Sequence, residues 1–148
     1  MTKDAESLSS PAAIVFELSR QECLDLLATH SVGRLAWNRP RAPPWVTPVN
    51  YRVYGEEIGF KLDLEREAEV PLQSEVSFEV DWIDREHRMG WSVLVQGMAH
   101  KSTHAENSAA SWTPGGSQVL MRLAAARVNG RRLLPDELVW PIEGDGYL

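Results

Sequence analysis

The most informative chemical pattern in this sequence is a segregation of charge along the chain. From residue 63 to residue 86 there are nine acids and two arginines. From residue 107 to residue 135 there is no acid, and the charged residues are Arg122, Arg127, Arg131 and Arg132. Because a planar guanidinium binds two oxygens of a phosphate at once, the cationic segment indicates an anion site. Pairing of these arginines with the acidic segment, within one chain or across a dimer, is an equal alternative.

The other residue types that commonly perform catalysis favour structural interpretations. Cys23 has no neighbour that would depress its thiol pKa, so we expect a buried structural thiol. His100 and His104 lie four residues apart, but a strand end and a polar connector do not place both on one helical face for zinc. Glu79 and Asp81 share a strand face, and a solvated outer surface is favoured there over paired acid–base chemistry. The sequence contains no HExxH, CxxC, GxSxG or P-loop motif.

Length and composition restrict the function classes further. The chain has 148 residues, a formal net charge of −6 and one cysteine. This length favours a single domain, and the negative charge argues against a nucleic-acid binder. The sequence has no long apolar run that could span a membrane, and its acidic start does not resemble a secretory signal. Together with the lone cysteine, these features predict a cytoplasmic location and no membrane partner.

One helix and about six strands are expected to position these residues. Ser19 and Glu22 match a capping box, which predicts a helix over residues 20–30. Alternating apolar residues predict strands over 34–37, 46–54, 57–61, 75–83, 91–100 and 118–128, and then a short extended segment over 131–134. Pro48 lacks an amide donor, so it should lie at a sheet edge or a bulge.

The segments between these elements carry loop and turn signals. Asn129-Gly130 predicts a tight turn. Short helices are expected within residues 62–74, ending by Val70, and over residues 101–111. Further connections are expected at residues 38–44, 55–56, 84–90 and 112–116. We expect residues 1–14 to form a flexible arm and residues 15–148 to form a single domain that ends in a surface tail.

This order of elements favours a mainly β fold with small helices. The strand spacing is typical of an antiparallel barrel. A parallel sheet is disfavoured because the alternation of strands and helices that it requires is missing.

Five short motifs add a more specific indication. In chain order they are Val32-Gly33-Arg34-Leu35-Ala36, Pro48-Val49-Asn50-Tyr51, Phe78-Glu79-Val80-Asp81, Gly90-Trp91-Ser92-Val93 with Val95-Gln96-Gly97-Met98-Ala99, and Gly130-Arg131-Arg132-Leu133. In this order and spacing they resemble the pyridoxamine 5′-phosphate oxidase-like FMN-binding split-barrel family. The likeness spans about residues 15–134 and is greatest to the small bacterial members, which include nitroimidazole-resistance-like proteins.

The resemblance implies a six-stranded antiparallel split barrel that forms a homodimer. Members bind FMN, or in some branches the deazaflavin F420 or haem, in two clefts at the dimer interface. The resemblance places Pro48, Val49, Asn50 and Tyr51 along the isoalloxazine ring, with Gln96 near the ring or the ribityl chain. It also implies that Trp112 and the C-terminal arginines, represented by Arg122 and Arg131, approach from the other subunit.

The segment that holds the FMN phosphate departs from the family pattern. Similar proteins carry Arg-Thr followed by a Gly and a Lys. Here Lys61 replaces the Arg, Leu62 follows it, and Arg66 is expected to replace the Lys, but the Gly is missing and four acids lie between positions 63 and 69. Weak FMN binding, another cofactor and an empty cleft therefore all remain open.

The resemblance therefore leads to an expected function. It is an FMN-dependent oxidoreductase with an unknown substrate, in which Tyr51 is a candidate proton donor, although a core position for this residue is favoured. The alternative is a non-catalytic module that holds F420, haem or a small anionic metabolite. Six of the 12 aromatic residues are Trp. Exposure of Trp37, Trp45, Trp91 and Trp112 would be too much apolar surface for a monomer, which predicts a homodimer.

Overall fold

The described part of the chain folds as eight antiparallel strands and one short helix. The computed structural model describes residues 13–102 and 117–135. The elements are β1 (Ala13–Leu18), α1 (Arg20–Leu27), β2 (Val32–Arg39), β3 (Ala42–Tyr54), β4 (Glu57–Asp63), β5 (Gln73–Asp84), β6 (Met89–Lys101), β7 (Gln118–Ala124) and β8 (Arg127–Pro135).

Six of these strands close into a barrel. Neighbouring strands follow the order β6-β5-β2-β3-β4-β7, and β7 pairs again with β6. Strands β8 and β1 extend the sheet beyond β6. The predicted six-stranded antiparallel split barrel is therefore confirmed, and β1 is a strand that the sequence patterns did not indicate.

The barrel splits at Gly97. Strand β6 pairs with β8 over Gly90–Gln96 and with β7 over Ala99–Lys101. A side chain at Gly97 would overlap the carbonyl oxygen of Ala124, where β7 turns into β8. A glycine is therefore needed for β6 to change partners at this position.

The core consists of the inward-facing side chains of the barrel strands, which occupy every second position along each strand. Phe78, Val93 and Val95 are completely buried, as the alternation predicts. The alternation of β5 also directs Trp82 to this face, but it lies at the β5–β6 hairpin end and is 42% exposed. Trp37 and Trp91 are buried, so the expectation that they are exposed is wrong. Trp45 is partly buried against the core.

Helix α1 begins at the predicted capping box. The Ser19 hydroxyl accepts a hydrogen bond from the Glu22 amide at 3.2 Å, and the Ser19 amide donates to the Glu22 carboxylate at 2.8 Å. The helix is shorter than predicted and ends at Leu27, with Ala28 as the C-cap. Cys23, Leu24 and Leu27 form its buried face, and burial raises the pKa of the Cys23 thiol, assisted by the charge of Glu22.

Two local expectations are wrong for tertiary reasons. Asn129 and Gly130 lie inside β8, and the turn from β7 falls at residues 125–126 instead. A side chain at Gly130 would overlap the sulfur of Cys23, so this glycine permits the helix to pack closely on β8. Residues 64–72 form turns and bends rather than a helix.

The other expectations on connections have different outcomes: that for Pro48 is confirmed, the extent of the connection at residues 38–44 is wrong, and the rest are untested. Pro48 lies outside the β3–β4 ladder, which spans Tyr51–Tyr54, so its missing amide interrupts no pairing on that side. The connection predicted at residues 38–44 is only a tight turn between Arg39 and Ala42. The arm up to residue 12, most of the helix predicted over 101–111, the turn at 112–116 and the tail after Pro135 lie outside the described residues. Within residues 13–102 and 117–135, no helix is long and apolar enough to cross a membrane.

Candidate functional site

A groove of about 530 Å³ lies on the outer surface of the barrel where β2, β5, β6 and β8 run side by side. We call it the Gln96 groove, because Gln96 is the predicted cofactor residue that lines it. Its other polar lining residues include Asn38, Glu75, Ser77 and Arg127, and Pro44 and Met98 contribute apolar rims. Its volume is within the range of about 300–1,000 Å³ that is usual for ligand pockets.

Strand register brings the lining residues together. Ser77 pairs with Gln96 and with Ala36, and Gln96 pairs with Arg127. Because directly paired residues project to the same face, these four side chains form one row across the sheet. Ala36 and Ser77 have small side chains, so this part of the row leaves open space above the sheet.

Some polar groups of the groove already have hydrogen-bond partners within the protein. The Gln96 side-chain amide donates to the Ser77 hydroxyl at 3.1 Å, which fixes the side chain and leaves its oxygen able to accept from a ligand. Arg127 makes no ion pair with any described residue. The row therefore presents a hydrogen-bond acceptor near an unpaired cation.

Beside the groove, Arg34 neutralises the acids of β5. Its guanidinium bonds the Glu79 carboxylate through two nitrogens and the Asp81 carboxylate at 2.8 Å. Glu79 and Asp81 lie on the outer face, as predicted, and both are partly exposed. Their engagement with one arginine fits a structural charge cluster better than acid–base catalysis.

The predicted residues of β3 divide between the two faces of the strand. Pro48 and Asn50 project outward, whereas the side chains of Val49 and Tyr51 are buried in the core. The Tyr51 hydroxyl donates to the Leu27 carbonyl at 2.5 Å, and its ring packs edge-on against Phe78. Burial raises the pKa of Tyr51 above its usual range. This residue therefore joins the helix to the barrel, and its proton is not directed to the outer surface.

The predicted phosphate-binding residues on β4 and β7 also differ in the direction of their side chains. Lys61 projects outward between the buried Phe60 and Leu62, so Leu62 contributes its side chain only to the core. Arg122 projects outward from β7 and is 15% exposed. Its guanidinium stacks on the Tyr54 ring at 3.8 Å and lies 3.9 Å from the Glu57 carboxylate. Lys61 and Arg122 thus lie on the outer surface of β4 and β7, away from the Gln96 groove. We call this surface the β4–β7 wall.

The acidic connector that follows β4 is hydrogen-bonded to one end of the barrel. The Glu67 carboxylate accepts from the Trp45 indole at 2.7 Å and from the Thr47 hydroxyl at 2.8 Å. The Trp37 indole donates to the Ala68 carbonyl at 3.0 Å. Arg66 forms an ion pair with Asp63 at 3.5 Å. At least Asp63 and Glu67 therefore have structural partners, and Arg66 is already neutralised.

The remaining predicted residues are not gathered at the Gln96 groove. Arg131 lines a second, separate groove with Arg132 near the β5–β6 hairpin end. Trp112 lies outside the described residues. One chain therefore brings Gln96 together with Ser77 and Arg127, and places Pro48, Lys61, Arg66, Arg122 and Arg131 elsewhere.

Sequence reasoning did not single out Ser77 or Arg127 as a pair with Gln96. The alternation of β5 placed Ser77 on the outer face, which was a usable signal. The pairing of Gln96 with Arg127 depends on the register of β8 against β6. This pairing was not predicted, because a turn was wrongly expected at Gly130. Among the described residues, no group of three or more His, Cys, Asp or Glu side chains could hold a metal ion, and His104 lies outside them.

Comparison with known proteins gives one family and several similar folds. A family model described as pyridoxamine 5′-phosphate oxidase matches residues 19–132. The uncharacterized protein Rv0080 from Mycobacterium tuberculosis is 29% identical over 134 residues, which cover 82% of this chain and 88% of the relative.

Two solved structures combine a similar fold with measurable identity. A FAD-binding protein from Mesorhizobium loti is 25% identical with a TM-score of 0.66, and the match covers 80% of this chain and 98% of that one. A FAD-binding protein from Mycobacterium smegmatis is 26% identical with a TM-score of 0.61 and has the same coverage of the two chains.

Proposed function

This chain belongs to the pyridoxamine 5′-phosphate oxidase family, and from that premise we propose that it binds a flavin nucleotide and serves as a flavin-dependent oxidoreductase. The family match covers most of the barrel. Two similar structures are named as FAD-binding proteins, which supports a flavin without deciding between FMN and FAD.

The single observation that carries the proposal is the Gln96 groove. Its volume of about 530 Å³ suits a tricyclic ring. The Gln96 amide nitrogen donates to Ser77, which orients the side chain and leaves its oxygen able to accept from a ring imide. Arg127 supplies a guanidinium for a phosphate or another anionic group at the edge of the same row. The residues present therefore fit a planar, polar-edged and anionic ligand.

A bound flavin would supply the hydride or electron chemistry. The residues of this chain would orient it and exclude water from one face. No described side chain near the groove has to act as an acid or a base for this role. The substrate and the electron donor are separate questions that binding measurements leave aside.

The first experiment is the visible absorption spectrum of the protein as purified, followed by titration with FMN and with FAD. We expect a flavin spectrum or saturable uptake, and a higher melting temperature with the flavin bound. Deazaflavin and haem give distinct spectra, so the same measurement identifies the alternatives. Absence of uptake well above micromolar flavin would contradict the proposal.

Variants then locate the flavin. Gln96→Leu and Arg127→Gln should each weaken uptake at least tenfold, because one removes the polar edge contact and the other removes the cation. Lys61→Gln and Arg122→Gln are the matched variants on the β4–β7 wall. If only the wall variants lose uptake, the flavin lies there and the groove assignment is wrong, while the flavin proposal itself stands.

The alternative of a module without FMN has one specific observation in its favour. The segment that corresponds to the family's phosphate site offers Lys61, but Arg66 is paired with Asp63 and Leu62 is buried. A phosphate there would meet a single unpaired lysine and nearby carboxylates. F420, haem or a small anionic metabolite would then be the ligand, and the spectrum of the purified protein tests this directly.

We also propose that the protein forms a homodimer with the second copy near the Gln96 groove. Val46 and Met98 are 60% and 45% exposed, Met98 lines the groove, and Val46 pairs with Ala36 on its floor. Apolar residues exposed next to a ligand groove are favourable surface for a second subunit. The cleft would then be completed by the partner.

A further inference from the structure

A second groove, of about 280 Å³, lies at the end of the sheet where β5 and β6 form their hairpin. Here Ile83 pairs with Gly90, Gly90 with Leu133, and Leu133 with Val15. These four residues therefore form one row on the outer face. Glycine has no side chain, so the row dips at position 90 between Ile83 and Leu133. We call this feature the Gly90 trough.

The backbone determines the shape of the trough. A Cβ on Gly90 would lie 2.5 Å from the carbonyl oxygen of Trp82, so the two strands approach too closely here for any other residue. Its walls are apolar and open to solvent, with Ile83 67% and Val15 56% exposed. An apolar chain lying on Gly90 would remove these side chains from water, at a gain of about 25 cal/mol per Å² of apolar surface.

One end of the trough is cationic. The next row of paired residues contains Ser92 and Arg131, with Asp81 and Glu17 on either side. The Asp81 carboxylate is bonded to Arg34 at 2.8 Å. Neither Arg131 nor Arg132, which both line the trough, makes an ion pair with another described residue. An apolar channel therefore leads to guanidinium groups and a hydroxyl that can bind oxygen atoms.

From this arrangement we propose that the Gly90 trough binds a small single-tailed carboxylate, with the tail on Gly90 and the carboxylate at Arg131 and Ser92. The volume is slightly below the usual range for drug-sized ligands, which indicates a short chain. A monoanion is favoured over a phosphate dianion, because Asp81 and Glu17 in the same row would repel the additional charge. The site is distinct from the Gln96 groove, since Ser92 and Gln96 are four residues, or about 13 Å, apart along β6.

Decanoate below its micelle concentration is a suitable probe, and calorimetric titration of the full chain measures its binding. We expect saturable binding with one site per chain, and at least tenfold weaker binding for Arg131→Gln. Decanol, which has the same tail and no charge, should also bind at least tenfold more weakly. Ile83→Asp should abolish binding by placing a carboxylate in the apolar wall.

Arg127→Gln is the matched control, because Arg127 is another exposed arginine on the outer face of β8 that lines only the Gln96 groove. This variant should keep wild-type decanoate affinity, and each variant's melting temperature checks that it is folded. No saturable binding by the wild type would overturn the proposal, as would an unchanged affinity in Arg131→Gln. If FMN displaces decanoate and Arg131→Gln loses flavin uptake, the trough belongs to the flavin site and the separate site is refuted.

Discussion

At the scale of single residues, Tyr51 shows how burial decides a role. Its motif resembles a segment that runs along a flavin ring, yet its side chain points into the barrel. There the hydroxyl satisfies the Leu27 carbonyl at the end of helix α1. The same carbonyl also accepts from the His30 amide at 3.3 Å. The hydroxyl therefore adds a second hydrogen bond, which stabilises the contact between helix and barrel rather than supplying a proton to a ligand.

Replacing Tyr51 by Phe should therefore destabilise the fold. We expect Tyr51→Phe to lower the free energy of unfolding by about 0.5–1.5 kcal/mol, because the Leu27 carbonyl loses one of its two donors and keeps only the His30 amide. Tyr54→Phe is the matched control, since the Tyr54 hydroxyl is buried without a hydrogen-bond partner among the described residues. It should change stability little. Denaturant unfolding of both variants checks the difference, and equal effects would contradict this role for Tyr51.

The same hydroxyl gives an expected dependence on pH. Burial raises the folded-state pKa of Tyr51 above the unfolded value of about 10. The folded state therefore keeps its proton when the unfolded state loses it. The stabilisation is fully present below about pH 10 and declines above it by about 1.4 kcal/mol per pH unit. Unfolding of the wild type from pH 8 to pH 11 should show a steeper loss than unfolding of Tyr51→Phe, and parallel curves would contradict the assignment.

At the scale of elements, glycines mark the places where two elements approach closely. Gly130 follows an asparagine, which is a strong local turn signal, but it lies within β8 beneath helix α1. The sulfur of Cys23 occupies the space that a side chain at Gly130 would need. Helix packing on the sheet therefore requires a glycine, and the local turn preference is overridden.

A double-mutant cycle tests this packing. Gly130→Ala should cost about 1–3 kcal/mol of stability through overpacking against Cys23. Cys23→Ala removes the sulfur, so most of that cost should disappear when both substitutions are present, with a coupling of about 0.5–3 kcal/mol. Denaturant unfolding of the two single variants and the double variant measures it. Additive effects would show that Gly130 is needed for another reason.

The acidic connector is the second case in which an element's role follows from its contacts. The sequence alone predicts that its carboxylates weaken a phosphate site. In the fold, Glu67 holds Trp45 and Thr47, and Ala68 accepts from Trp37. The connector thereby covers one end of the barrel and satisfies the indole nitrogens of the buried Trp37 and the partly buried Trp45.

At the scale of the whole molecule, the two proposed binding sites lie on the outer surface of one sheet. The Gln96 groove and the Gly90 trough both lie along β6 and β8, each with arginines of the cationic segment. Arg122 stands apart on β7. Two of the acids of β5, Glu79 and Asp81, are paired with Arg34 and not with the cationic segment, so the opposing charge blocks of the sequence do not simply neutralise each other.

The proposed homodimer gives a prediction at this scale. Light scattering should show a solution mass of two chains. Val46→Glu should shift the protein toward one chain, because a charge would enter the surface beside the groove. Val15→Glu is the control, since Val15 has similar exposure but lies in the Gly90 trough. A single-chain mass for the wild type would contradict the dimer, and dissociation by Val15→Glu alone would move its interface.

Local sequence patterns were sufficient to predict the class of fold and much of the local structure. Alternating residues such as Val76, Phe78 and Val80 identify a strand and its inward face, because side-chain direction repeats every two residues. The Ser19 capping box identified the start of the helix, since a cap is satisfied within one turn. The order of the five motifs identified the family.

Local patterns did not predict which side chains share a surface, because that depends on how separate strands pack together. The row that contains Ser77, Gln96 and Arg127 depends on how β5 and β8 register against β6, and a slip of one residue would turn each side chain to the other face. The roles of Gly97 and Gly130 depend on atoms distant in the chain. Local periodicity determines a residue's face within its own element, whereas register and close approach between elements determine its neighbours, and a binding site is made of neighbours.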